Sequence, residues 1–262
     1  MPRRLALAAD APVVAPDGVP AQVHRFSAGG ATLVAESFGR GARTFLLVHG
    51  IGMGRMAFRG LAAQLRGRGR FLVVDLPGYG SAPEPERTLT MERTADLLAA
   101  LLRDRSERPV VVVGHSMGTQ VAVELAARHP SLVEKVVLLA PTVDAEARTV
   151  GRQLLRLAED LVVETPRVIL LGATEYLRAG PNLRGKLHAM LAHRPEDAYP
   201  RVHQPALVIR GSADRVCRED WCSRVVAGLP DARLVVVDHH GHETMIRDSG
   251  PAARAILALT DG

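Results

Sequence analysis

Short runs of Val, Leu, Ile and Phe recur along the chain at 31–37, 44–48, 71–75, 109–113, 135–139, 206–210 and 233–237. Each is strand-length, and most are apolar at successive positions instead of alternating, which is the pattern of strands buried on both faces. Between them the apolar spacing changes to three and four residues, predicting helices over 56–66, 91–103, 117–128, 220–229 and 251–259. Strand and helix in alternation predict an α/β fold with a mostly parallel central sheet flanked by helices, the last five or six strands running parallel.

The alternation breaks once. After the strand at 135–139, about sixty residues carry helical periodicity without a convincing strand. Leu154, Leu157 and Leu161 recur at helical spacing, and residues 169–171 add a second apolar face. Thr165 before Pro166 reads as a cap and first turn, and Asn182 as the cap of a further helix ending before Pro195. The expected division is therefore a loose N-terminal leader over 1–21, a core formed by 22–141 and 204–262, and a helical cap over 142–203 inserted after the sixth strand. The cap's apolar underside suits a small apolar acyl or ring-containing substrate.

Composition narrows the classes. At 262 residues and 47% hydrophobic side chains the chain can bury a full core. The net charge of +5 comes from scattered arginines, with Lys135 and Lys186 as the only lysines, and aromatics make up just 3%. A basic stripe interleaved with stacking platforms is missing, so no nucleic-acid partner is expected. The arginines at positions 3 and 4 and the apolar residues 5–9 imitate a signal peptide, but that run is too short and meets Asp10; no stretch reaches membrane-spanning length. Cys217 and Cys222, five apart at the start of a predicted helix, are expected to point away from each other, leaving reduced thiols and a cytoplasmic setting. Oligomeric state is not readable from these features.

The sharpest chemical signal is Gly114-His115-Ser116-Met117-Gly118, directly after the strand at 109–113 and directly before a predicted helix. A strand that turns this sharply into a helix has no room for side chains at the two glycine positions, and it holds the serine exposed above the sheet at the helix start. There the free N–H groups of the first turn favour developing negative charge.

With this motif the chain resembles the α/β-hydrolase family, from about residue 22 to 259. The segment His49-Gly50-Ile51-Gly52-Met53-Gly54 after 45–48 is similar to the family's His-Gly segment, and the match implies Ile51 N–H and Met117 N–H as oxyanion donors. Asp75-Leu-Pro-Gly-Tyr-Gly-Ser81 resembles the family's next turn and is read as structural. Gly211-Ser-Ala-Asp214 after the strand at 206–210 implies Asp214 as the acid, with Asp144 in an alternative position used by some relatives. Asp238-His239-His240-Gly241-His242 after the last strand implies His242 as the base, with His240 and then His239 behind it. Spacing nominates no metal ligands around these histidines.

Ser116, Asp214 and His242 stand in the family's chain order. The resemblance implies a serine hydrolase that needs no cofactor and cleaves a carboxylic ester, thioester or lactone through an acyl-enzyme. A C–C bond hydrolase, a non-hydrolytic lyase or cyclase, and a small-ligand binder remain as alternatives on the same fold.

Overall fold

The computed structural model describes residues 21–105, 108–148 and 182–261. Gln22–Ala28 (β1) and Ala31–Gly39 (β2) form an antiparallel hairpin. The two loop residues, Gly29 and Gly30, have φ of +58° and +78°, the left-handed pair that a tight hairpin turn requires. Next come Thr44–Val48 (β3), Arg70–Asp75 (β4), Val110–His115 (β5), Val133–Leu139 (β6), Ala206–Gly211 (β7) and Ala232–Val237 (β8). All join one eight-stranded sheet in the order β1-β2-β4-β3-β5-β6-β7-β8. β2 pairs antiparallel with β4, and the strands from β3 onward run parallel, as the apolar runs imply.

Each central strand sends alternate side chains to opposite faces. Leu46, Val48, Val112, Val136, Leu138 and Val208 pack on one side. They meet Met91–Arg105 (α2), Met117–Arg128 (α3) and Glu219–Gly228 (α5) through Leu98, Val121 and Trp221. Phe45, Leu47, Val111, Val113, Val137 and Ile209 pack on the other face. There they meet Arg59–Gln64 (α1), Thr244–Arg247 (α6) and Gly250–Thr260 (α7) through Leu61, Met245 and Ile256. The chain reverses direction across the sheet at β3, which lies between β4 and β5, and this opens a crevice at the carboxyl ends of those strands.

Several expectations change. β1 was not foreseen, and neither was α6. The helix predicted over 56–66 begins as a 3-10 turn, Arg55–Phe58, before α1. In the cap region Leu183–Ala192 (α4) lies where Asn182 and Pro195 imply a helix. Asn182 stands at its N-cap position, as expected, but its side chain makes no capping bond and instead donates to Thr88 Oγ1 at 2.7 Å. Residues 1–20 of the expected leader, and the cap features at Leu154, Leu157, Leu161, Thr165 and 169–171, lie outside the described residues.

The two thiols are unbridged, as expected, but they do not point away from each other. Cys217 and Cys222 are both buried, with their sulfurs 3.1 Å apart. The helix starts at Glu219, two residues after Cys217, so Cys217 lies outside the helical phase that would have turned the thiols apart.

Candidate active site

The sharp turn from β5 into α3 puts Ser116 at φ +52°, ψ −119°, a conformation that residues with side chains rarely adopt. Its amide donates to Leu139 O of the neighbouring strand at 2.9 Å. A Cβ on Gly114 would lie 2.3 Å from Gly118 O, and one on Gly118 would lie 2.2 Å from Val48 O. Both contacts are impossible for a real methyl group, so the motif's glycines follow from the close approach of β5, α3 and β3.

From Ser116 a continuous relay runs through three elements. Ser116 Oγ is 3.0 Å from His242 Nε2, and His242 Nδ1 is 3.0 Å from Asp214 Oδ2. The other oxygen of Asp214 accepts the amides of Val216 at 2.8 Å and Cys217 at 2.7 Å. With Asp214 as acceptor, Nδ1 carries the ring hydrogen and Nε2 presents its lone pair to the serine. All three residues are buried.

The competing candidates lie elsewhere. Asp144 is buried, but its Oδ1 accepts from Glu146 N at 3.0 Å and from the Arg224 guanidinium at 3.0 Å. His239 is exposed, and His240 places Nδ1 2.8 Å from Asp238 O. Ile51 lies in the loop between Gly50 and Gly52, while Met117 is the first residue of α3, where a helix leaves its N–H groups without an internal acceptor. His49 of that loop is an anchor: Nε2 accepts Leu76 N–H at 3.0 Å and Nδ1 donates to Gly50 O at 2.8 Å. Burial holds its pKa below the ordinary histidine value, so it stays neutral in this role.

Four further residues support the site without having been foreseen. Thr142 Oγ1 lies 3.4 Å from Ser116 Oγ. His115 donates from Nε2 to His242 O at 3.1 Å; burial, then the neighbouring His242, lowers its pKa to about 3 and keeps it neutral. Buried Arg210 donates from Nε to Cys217 O at 3.1 Å and from a terminal nitrogen to Asp214 O at 3.4 Å, fixing the Asp214 loop from within. Arg55 closes the His49–Gly54 loop onto the sheet: its Nε meets Glu36 at 2.8 Å, its guanidinium pairs with Asp75, and its amide donates to Asp75 Oδ1 at 2.6 Å. Burial works against the Arg55 charge, but the two carboxylates win and raise its pKa. Nothing in the local sequence marks these charges as buried.

Beside Met117 lies an apolar hollow lined by Leu76, Tyr79, Leu89, Met91 and Val121. Lys186 of α4 borders it, but its charge is occupied: Nζ donates to Gly78 O at 2.6 Å, pairs with Glu84 at 2.8 Å and lies 4.5 Å from the Tyr79 ring centroid. Among the described residues one other cluster has ligand-type spacing, Glu92, Glu124 and His193. In it His193 Nε2 and Glu124 Oε1 are already paired at 2.9 Å. No helix among the described residues is long and apolar enough to cross a membrane.

The chain is 28% identical over 253 residues to a pimeloyl-[acyl-carrier protein] methyl ester esterase of Chromobacterium violaceum, covering 86% of this chain and 96% of the relative. It is 26% identical over 253 residues to a 2-(acetamidomethylene)succinate hydrolase of Mesorhizobium japonicum, covering 84% and 89%. Among solved structures it is similar to a malate-bound thermophilic esterase from Thermogutta terrifontis, with a TM-score of 0.78, 23% identity, and 92% and 98% of the two chains covered. A family model described as "Alpha/beta hydrolase family" matches residues 45–255, a span that includes Ser116, Asp214 and His242. The chain belongs to the alpha/beta hydrolase family.

Proposed function

We propose that this chain is a serine hydrolase that cleaves a carboxylic ester, thioester or lactone through an acyl-enzyme on Ser116. The observation that carries the reading is the unbroken line from Ser116 Oγ to His242 to Asp214, with both links at 3.0 Å. His242 Nε2 takes the hydroxyl proton as Ser116 Oγ attacks the acyl carbon, and Asp214 stabilises the resulting imidazolium without taking the proton. Negative charge on the former carbonyl oxygen falls to the amides of Ile51 and Met117; losing one such donor typically lowers the rate about a hundredfold to a thousandfold. His242 then passes its proton to the leaving oxygen or sulfur. Water enters, gives a proton to His242 and attacks the acyl carbon; the bond to Ser116 Oγ then breaks as His242 returns that proton to Oγ, releasing the acid and free Ser116.

The chemistry needs no cofactor, because proton transfer and oxyanion stabilisation are both supplied by protein groups. A small apolar acyl or ring-containing substrate is supported by the apolar side chains beside Met117, with the Lys186 charge already neutralised by Glu84, although the hollow they enclose, about 20 Å³, is itself too small to receive it. The test is intact-protein mass after exposure to a fluorophosphonate, for wild type beside Ser116→Ala. One adduct on the wild type alone is the expected result, and Ser116→Ala should reduce turnover on the order of a millionfold. Absence of an adduct on folded wild type would refute the reading and favour a ligand binder.

A further inference from the structure

Two thiols lie against the loop that presents Asp214. The chain leaves β7 at Gly211, turns through Asp214 and Cys217, and enters α5 at Glu219. Cys222 lies on α5, its amide donating to Arg218 O at 3.0 Å. The two sulfurs are buried and 3.1 Å apart. An S–S bond is about 2.05 Å long, so a shift of roughly half an ångström by each sulfur closes the gap. Cys217 is also a direct support of the acid: its amide donates to Asp214 Oδ1 at 2.7 Å and its carbonyl accepts from Arg210 at 3.1 Å. Cys222 belongs to a helix that is itself anchored, through Trp221 Nε1 donating to Pro141 O at 3.0 Å.

We propose that Cys217 and Cys222 are a site of reversible oxidative modification, closed to an intrachain disulfide by hydrogen peroxide, and that the bond fastens the Asp214 loop to α5 in its working geometry. Burial of both sulfurs restricts the oxidant to a molecule about the size of water. One sulfur, as thiolate, attacks a peroxide oxygen; the O–O bond breaks, and the departing hydroxide leaves as water with a proton, giving a sulfenic acid. The second sulfur attacks the sulfenic sulfur, the S–O bond breaks, and the hydroxyl leaves as water with that thiol's proton. Two thiols and one peroxide thus become one disulfide and two waters. The close second thiol captures the sulfenic acid before it oxidises further. Burial, with Cys222 and Asp214 adding to it, pushes the Cys217 thiol up, so thiolate is scarce near neutral pH and the oxidation is slow.

Trypsin cleaves after Arg215, Arg218 and Arg224, and therefore separates the two cysteines. The full chain is treated with graded hydrogen peroxide over hours, quenched with catalase, alkylated in denaturant and digested. The expected product is a linked pair of peptides, 216–218 and 219–224, that splits on reduction. Cys217→Ser and Cys222→Ser should each give sulfenic or sulfinic acid at the remaining thiol and no linked pair. Should either variant fail to fold, the wild-type digest decides alone, repeated after refolding from urea in the same oxidant. Alkylation of both thiols under both regimes, or linkage between chains, overturns the proposal. For the second half of the proposal, which rests on Asp214 being the acid, oxidised and reduced wild type are compared in fluorophosphonate labelling. Rates within about twofold are expected, and a fall of about tenfold or more on oxidation overturns it. The peptide readout is independent of activity, so it stands whether or not the hydrolase reading does.

Discussion

Replacing Asp214 with asparagine exchanges one oxygen for an NH2 and leaves the shape of the site unchanged. The amides of Val216 and Cys217, 2.8 and 2.7 Å from Oδ1, need an acceptor, so the asparagine carbonyl takes that side. The NH2 then faces His242 Nδ1, which becomes the acceptor, and the ring hydrogen moves to Nε2. There it blocks the transfer from Ser116 across 3.0 Å. The opposite amide orientation would restore the working tautomer, but it leaves two buried N–H donors facing a third donor, at roughly 1–3 kcal/mol each. That is about 2–6 kcal/mol against the productive form, before the loss of carboxylate charge opposite the imidazolium is counted. We therefore expect a fall of about ten-thousandfold, equivalent to ~5.5 kcal/mol. The assay is the second-order rate of fluorophosphonate labelling, followed by intact mass, which requires no knowledge of the natural substrate. Asp144→Asn is the companion: its carbonyl can still accept from Glu146 N and Arg224, and the rate should stay within about threefold. A loss below tenfold for Asp214→Asn, or a large loss for Asp144→Asn, would refute the acid assignment.

Arg55→Met strands the buried carboxylates of Glu36 and Asp75, and should lower unfolding free energy in urea by about 3–5 kcal/mol; an unchanged midpoint would contradict the burial argument. His115 has its folded pKa lowered from 6.5 to about 3, so the unfolded chain binds the extra proton between those values. Stability from this group is fully present above about pH 6.5 and is lost as pH falls toward 3, at up to ~1.4 kcal/mol per pH unit. His115→Gln retains an N–H donor but does not titrate, so its loss of stability between pH 7 and pH 5 should be smaller than that of wild type by about 2 kcal/mol; equal pH dependence would exclude this role. Gly118→Ala drives a methyl to 2.2 Å from Val48 O, and should destabilise by more than about 3 kcal/mol or prevent soluble expression, whereas a wild-type urea midpoint would refute the packing of the turn.

What was legible in the sequence is what depends on neighbours in the chain. The strand, turn and helix around Ser116 announce themselves within twenty residues, because buried parallel strands are continuously apolar and the turn admits only glycine at its two tight positions. Asp214 follows the buried β7 and His242 the half-exposed edge strand β8, and both inherit their positions from those strands. β1 was missed for the opposite reason: its residues Gln22–Ala28 lie at the sheet edge, are largely open to solvent and include no apolar run. The Gly29-Gly30 pair was the available signal, a two-residue hairpin turn. The cysteines were misjudged because helical phase was extended back to Cys217, although the helix predicted over 220–229 and the one observed from Glu219 both begin after it.

The residues that could not be read are charged or titratable groups whose burial is decided by distant partners. Arg55 meets Glu36 and Asp75, 19 and 20 residues away on different strands, and His115 reaches a carbonyl 127 residues later; Arg210 on β7 is the exception, with Asp214 O and Cys217 O four and seven residues on. Each holds one part of the site: Arg55 the loop carrying Ile51, His115 the backbone of His242, Arg210 the loop carrying Asp214. The atoms of the proposed relay are thus supplied by short motifs on separate strand ends, while their mutual distances are set by polar groups inside the protein. Such groups carry a large desolvation penalty that their hydrogen bonds and ion pairs offset only in a defined geometry, so their positions are closely fixed. A loop position held by a buried, fully paired cation has few alternative arrangements of similar energy, which is the condition for keeping two links of a relay at 3.0 Å across three separate loops.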